Sequence, residues 1–213
     1  MSGGCEPPIF NLGASTALRA RQTRVLWMVL GLNATMLVIE IIASWYAGST
    51  ALLADALDFF ADSATYGITL FVLARSARLK AAAALIKGLA MGAFGLWVIA
   101  LALYRALDPA LPEAAVMGGV GVLALAANAG SALLLYMHRG DDLNMRSVWL
   151  CSRNDAIANI AVIFAAGAVA VTATAWPDLA AGALIAGLEL SAAYFITRQA
   201  LAELEAAKAR LPA

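Results

Sequence analysis

The stretch Ala51-Leu-Leu-Ala-Asp-Ala-Leu-Asp-Phe-Phe-Ala-Asp62 places three carboxylates inside an otherwise apolar segment. In an α-helix Asp58 and Asp62, four positions apart, lie one turn above the other and about 40° apart on one face. In hydrocarbon each such charge costs roughly 2.5–3.5 kcal/mol on insertion scales, and two like charges so close also repel. A chain retains this pair where a positive ion comes to lie between them, which favours a divalent cation or a proton.

The composition indicates a membrane protein. The chain has 213 residues, 63% of them hydrophobic and 13% charged, whereas soluble domains are usually about half apolar and a quarter charged. A net charge of zero and a single His argue against a nucleic-acid partner, because such proteins present a basic face. Cys5 and Cys151 lie in a polar N-terminal segment and an apolar helix, so they predict no disulfide.

Six apolar stretches of about 20 residues predict an all-α membrane protein, a bundle of six transmembrane helices in the lipid bilayer. They cover residues 25–46, 51–73, 82–104, 114–136, 147–173 and 179–201. We expect residues 19–204 to form the transmembrane domain and residues 1–18 a disordered cytoplasmic tail without signal-peptide features. Residues 205–213 are expected to form a short cytoplasmic tail, too short to bury a core.

The distribution of basic residues predicts the orientation. Of the 14 Lys and Arg residues, only Arg105 falls on the side opposite the termini, and the link between spans two and three is surrounded by Arg75, Arg78, Lys80 and Lys87. Since cytoplasmic loops carry the excess of Lys and Arg, both termini are predicted to be cytoplasmic. We expect a multi-pass protein of a bacterial inner (plasma) membrane.

A second polar motif, Cys151-Ser-Arg-Asn-Asp155, lies in the fifth span. On a helix Cys151 and Asp155 share one face. If that face meets Asp58 and Asp62, three oxygen ligands and one sulfur ligand suit a tetrahedral ion such as zinc or cadmium. Cys151 has an alternative role as an inert small hydrophobic residue.

Other polar side chains at membrane depth are candidates for supporting the site or for a proton path: Asn33, Glu40, Asp55 and Asn159. Glu40 either accepts protons or holds a neighbouring helix. Asp55 either joins the face of the other two carboxylates, within about 20°, or acts as a cap or gate near the outer end of its span. Asn159 lies one turn beyond Asp155. Glu189 in the sixth span is interpreted either as a contact between helices or as a partner of Arg153 in the fifth span.

The link between spans four and five contains His138, Asp141 and Asp142. These three side chains either bind a second cation at the cytoplasmic mouth or form an ordinary solvated turn.

The first two spans resemble the signature of the cation diffusion facilitator family, whose second helix carries Ser-x-Ala-Leu-x-Ala-Asp and then His/Asp-x-x-x-Asp. Here the run reads Gly48-Ser-Thr-Ala-Leu-Leu-Ala-Asp-Ala-Leu-Asp58-Phe-Phe-Ala-Asp62, preceded by Asn33 and Glu40. The family's fifth-helix entry is similar to Leu143-Asn-Met-Arg146, followed by Cys151-x-x-x-Asp155 and Ala156-x-x-Asn159. The likeness covers all six spans.

This resemblance implies a homodimeric, proton-coupled exporter of divalent metal, usually zinc, that works by alternating access. Its transport site falls on Asp58, Asp62, Cys151 and Asp155. Zn²⁺, or Cd²⁺ or Co²⁺, is then the transported substrate, and we expect no prosthetic group. The family typically has His or Asp where this chain has Cys151, and a thiolate favours zinc or cadmium.

The family usually also carries a cytoplasmic C-terminal domain, which we do not expect here, so a dimer would be held by its spans. Close approach of two copies is predicted at small-residue faces, namely Ala90, Gly92 and Gly95 in the third span or Gly118, Gly121 and Ala124 in the fourth.

Two functions of other classes compete with export. One is a metal-binding or regulatory membrane homologue that does not transport. The other is an intramembrane aspartyl protease, which is less favoured because the Tyr-Asp and Gly-x-Gly-Asp motifs are missing from the sequence.

Overall fold

A computed structural model describes residues 16–72, 76–137 and 145–209 of the chain. These residues form six α-helices joined by short links: α1 (Thr16–Ala47), α2 (Thr50–Val72), α3 (Ala77–Leu107), α4 (Ala114–Met137), α5 (Met145–Thr172) and α6 (Trp176–Ala209). The all-helical prediction is confirmed. Each predicted span corresponds to one helix, and no span extends beyond the end of its helix by more than one residue.

Several helices extend beyond the predicted spans. The first begins at Thr16, inside the segment predicted to be a tail, and α6 continues to Ala209. The apolar pattern detects only the part of a helix that matches the membrane, whereas Ala, Leu, Arg and Glu continue the helix into its polar flanks. Within the described residues, α1, α3, α4, α5 and α6 are long and apolar enough to cross a membrane. Helix α2 carries three aspartates and is not in that group.

Helix α2 lies in the middle of the bundle. It contacts all five other helices, and its residues from Thr50 to Asp62 are buried apart from Phe60, which is half-buried. The other five helices expose large apolar side chains, as expected for surfaces that face lipid. The helix that carries three aspartates in its apolar run is therefore the one that lies in the middle of the bundle.

Apolar packing sets the direction of each face of α2. Phe59 packs with Met36 of α1 and Ala124 of α4. On another side, Leu57 packs with Met91 of α3 and Ala193 of α6. The helix packs closely on α1, α3 and α6 and touches α4 and α5 over a short stretch only. Its polar face lies at this looser contact.

The end of the bundle opposite the termini is held by polar contacts at the start of α2. Asp178, in the first turn of α6, accepts hydrogen bonds from Ser49 Oγ at 2.6 Å and from the backbone N–H groups of Thr50 and Ala51 at 2.7 and 3.0 Å. These bonds satisfy the otherwise free donors of the first turn of α2. The cap of α2 is thus Asp178 together with Ser49, and the expectation that Asp55 could cap this end is wrong.

Arg105 of α3 joins the same end to the turn between α1 and α2. Its Nη1 donates to Gly48 O at 2.9 Å and to Thr50 Oγ1 at 3.0 Å. Gly48 adopts a φ of 66°, a left-handed conformation that glycine accepts without steric cost at the end of a helix. The single basic residue predicted on this side therefore bridges α1, α2 and α3.

The small-residue faces predicted to hold a dimer are used inside the chain. A Cβ at Gly95 would lie 2.9 Å from Leu190 Cγ of α6, and one at Gly121 would lie 3.1 Å from Ile163 Cγ1 of α5. Gly92 and Gly118 likewise face α6 and α5, respectively. The prediction that these faces are free for a second copy is wrong, because small residues allow close packing equally well between helices of one chain.

Gly182 sets the distance between α6 and α2. A Cβ there would lie 2.9 Å from the backbone C and O of Thr50, whereas a Cβ at Gly187 of the same helix would meet nothing within 4 Å. We predict that Gly182→Ala lowers stability by about 1–3 kcal/mol, because the two helix backbones must separate. Thermal unfolding of the detergent-purified protein measures this. Gly187→Ala is the matched control, in which higher helix propensity should leave the unfolding temperature unchanged or raised. Equal effects of both variants would contradict the packing.

Candidate metal centre

Three predicted ligands, Asp58, Asp62 and Asp155, form the acidic cluster of this structure. They are buried, with exposures of 8%, 9% and 8%. The carboxyls of Asp58 and Asp155 lie within hydrogen-bonding reach of each other, across the contact between α2 and α5. Asp62 is close enough to interact electrostatically with both. The structure therefore places the three carboxylates near one another in the interior of the bundle, with Asp58 and Asp155 the closer pair.

The acidic cluster is not a closed coordination shell. Among the residues whose side chains are described, no three His, Cys, Asp or Glu side chains converge as they would around a metal ion. Asp62 lies a helical turn from Asp58, and its Oδ2 accepts a hydrogen bond from Tyr66 OH at 3.4 Å. Asp58 and Asp155 thus form the tighter pair, and Asp62 is held separately by its own tyrosine.

Two predicted site regions lie outside the described residues. Cys151 belongs to α5, but the structure does not describe its side chain. His138, Asp141 and Asp142 fall in a link that is also outside the described residues. The fourth ligand and the loop site both stay predictions.

A chain of asparagine hydrogen bonds connects the acidic cluster to Asp55. Asn159 Nδ2 of α5 donates to Asp55 Oδ1 at 3.0 Å and Oδ2 at 3.2 Å. Asn128 Nδ2 of α4 reaches Asn159 Oδ1 at 3.4 Å and Asp58 Oδ2 at 3.5 Å. Sequence reasoning missed Asn128. The usable signal was that Asn128 and Ser131 are polar residues on the same face of an otherwise apolar span.

Of the other predicted supporting residues, Glu40 lies beside the site and Asn33 does not. Glu40 is fully buried and its carboxyl is within hydrogen-bonding reach of Asp55. Asn33 Nδ2 instead donates to Val29 O at 2.9 Å and to Ser131 Oγ of α4 at 3.2 Å. Asn33 therefore joins α1 to α4 about two turns away from Glu40.

Two charged residues near the acidic cluster were assigned elsewhere from the sequence. Lys87 lies almost three turns into α3, where Nζ donates a hydrogen bond to Thr65 Oγ1 of α2. Its electrostatic partners include Asp62 and Glu189. Glu189 of α6 also interacts with Asp62. Glu189 therefore lies beside the acidic cluster, which the sequence interpretation did not predict. Lys87 was counted among the basic residues around the link, although it falls inside the predicted third span, and the structure places it within α3.

Comparison with known proteins identifies the kind of domain that contains this site. Residues 26–204 match the model of the cation efflux transmembrane domain. Two curated relatives, from Bacillus velezensis (strain DSM 23117 / BGSC 10A6 / LMG 26770 / FZB42) and Bacillus subtilis (strain 168), are each named as a cadmium, cobalt and zinc/H(+)-K(+) antiporter. They are 30% and 28% identical to the chain over 182 residues, and each match covers 78% of this chain. The chain spans 57% and 58% of the length of these relatives.

The position of Lys87 predicts an effect on cation binding. Its ammonium group interacts with the same carboxylates as any divalent ion bound there, so the two positive charges repel. We predict that Lys87→Gln tightens Zn²⁺ binding about tenfold, which equals roughly 1.4 kcal/mol. Calorimetry on the purified protein measures the affinity, with Lys80→Gln near the start of α3 as the control. An affinity unchanged by Lys87→Gln would contradict this electrostatic role.

Proposed function

This chain belongs to the cation efflux family, and from that premise we propose that it exports zinc-type divalent metal ions in exchange for protons. Membership makes it a multi-pass integral membrane protein of a transporter family rather than an enzyme, which removes the protease alternative. The observation that carries the proposal is the pairing of Asp58 and Asp155 from two helices inside the bundle. The names of the relatives support cadmium, cobalt and zinc as substrates.

The proposed transport site consists of Asp58 and Asp62 from α2 with Asp155 and Cys151 from α5. Three carboxylates and a thiolate supply oxygen and sulfur ligands suited to zinc and cadmium. Metal ligands must be deprotonated, so a metal ion that binds displaces protons and protons that bind displace the metal. This competition at one set of side chains is sufficient for exchange of metal against protons.

We propose that the described conformation gives access to the site from the side of the chain termini. On the opposite side, Asp178 and Arg105 hold the start of α2. The segment from Ala51 to Ala54 is also buried among apolar side chains. Beyond Asp62, several residues of α2 are half-buried. Alternating access then requires α2 to move relative to α5, one of the two helices that it touches over a short stretch only.

The proposed topology places both termini in the cytoplasm. All six helices cross the membrane in it, and α2 does so enclosed by the other five. The position of Arg105 at the end opposite the termini fits the positive-inside rule. A homodimer in a bacterial inner membrane is part of the proposal. The glycine faces turned toward neighbouring helices of the same chain are not available to form it.

The exchange mechanism predicts that Asp155→Asn abolishes transport. An amide cannot release a proton or bind Zn²⁺ as a carboxylate does, so we expect metal-driven proton flux in proteoliposomes to fall at least about a hundredfold. Asp108→Asn, in the exposed link between α3 and α4, is the control for the substitution itself. Full flux by Asp155→Asn would refute the site. A wild-type protein that binds Zn²⁺ but moves none would instead identify a metal-binding homologue without transport.

The thiol at position 151 predicts metal preference. A soft thiolate binds Cd²⁺ better than the harder Mn²⁺, so Cys151→Ser should reduce Cd²⁺ flux by at least about tenfold more than Mn²⁺ flux. Flux measurements with Zn²⁺, Cd²⁺, Co²⁺ and Mn²⁺ test this, with Cys5→Ser as the control. An identical preference in wild type and Cys151→Ser would remove Cys151 from the ligand set.

A further inference from the structure

A second pair of carboxyls lies beside the acidic cluster. Glu40 of α1 and Asp55 of α2 both have an exposure of 0%, and their carboxyls lie within hydrogen-bonding reach of each other. Neither residue belongs to the proposed set of metal ligands. The two helices that carry them pack along each other closely, so the pair is part of a tight interface.

The hydrogen bonds around this pair are unequal. Both oxygens of Asp55 accept from the Asn159 amide, at 3.0 and 3.2 Å. Neither Glu40 Oε1 nor Glu40 Oε2 has a hydrogen-bond partner among the described residues. A buried carboxylate without a donor is costly, and two ionised carboxylates in reach of each other add repulsion. One hydrogen placed between the two carboxyls removes both costs.

Charged groups that face the pair are all acidic in the described part of the chain. From α2, Asp58 faces Glu40 and Asp55. From α5 and α6, Asp155 and Glu189 interact with Asp55. The electrostatic partners of Lys87, the basic residue near the acidic cluster, are Asp62, Glu189 and Asp58. The pair therefore sits in a negative environment that attracts a positive ion.

We propose that Glu40 and Asp55 form a second ion-binding site, which holds a single proton shared between the two carboxyls. A proton fits because the carboxyls approach to hydrogen-bonding reach and the Asn159 amide occupies both oxygens of Asp55. A larger hard cation takes six or more oxygen ligands. The chain of hydrogen bonds through Asn159 and Asn128 connects this site to Asp58. A contribution of this proton to transport rests on the proposed function, but its binding does not.

Infrared spectroscopy of the metal-free protein at neutral pH tests the shared proton directly. We expect Glu40→Gln to remove one absorption band of a protonated carboxyl. The variant should fold, because the new amide N–H can donate to Asp55 as the proton does. Asp55→Asn should remove the same band, and the double variant should remove no further band, since a shared proton is lost only once. Glu203→Gln, an exposed position on α6, is the control and should leave this band unchanged.

Three results would overturn the inference: no band lost in either single variant, two separate bands lost in the double variant, or a wild-type band that disappears on addition of Na⁺ or K⁺. The last result would identify a site for a monovalent metal ion instead of a proton. Neither metal nor flux enters the measurement. A wild-type protein that fails to transport would therefore refute the proposed function and leave this test intact.

Discussion

The structure depends on how a bundle of apolar helices accommodates several carboxylates that face one another. Asp58, Asp155 and the Glu40–Asp55 pair are buried where α2 faces α1 on one side and α5 on another. Charges buried in this way need positive partners or bound ions, since their repulsion is strong in a medium of low dielectric. The described residues supply one nearby cation, Lys87, and a set of amide donors. The remaining negative charge is the physical basis of the proposed site for metal ions and protons.

The surrounding packing holds α2 firmly on three sides and loosely on the fourth. Phe59 and Leu57 anchor it to its apolar neighbours, while Asp178 caps its first turn from α6. The extensive contacts of α2 are with α1, α3 and α6, whereas its contacts with α4 and α5 are short. A site divided between α2 and α5 therefore lies across one of the two shorter contacts of α2. In this arrangement the geometry of the ligands and the conformation of the bundle are coupled.

The sequence predicted the extent of each helix and the positions of residues along it better than it predicted which residues of different helices contact one another. The helices and the grouping of Asp58 with Asp62 follow from apolar length and from spacing within a helix. Asn128 and Glu189 were missed as neighbours of the site because their relevance depends on which helices pack together and in what rotation. The same limit explains the small-residue faces: Gly95 and Gly121 were correctly expected to contact a helix, but the helix belongs to the same chain.

The central claim is that side chains of α2 and α5 bind one divalent ion between them. An experimental structure of the Zn²⁺-loaded protein, with anomalous scattering recorded at the zinc edge, tests it most directly. The account predicts an anomalous peak within about 2.0–2.2 Å of carboxylate oxygens from both Asp58 and Asp155. A peak bound only by residues of the link between α4 and α5, with these two carboxylates still paired to each other, would contradict it.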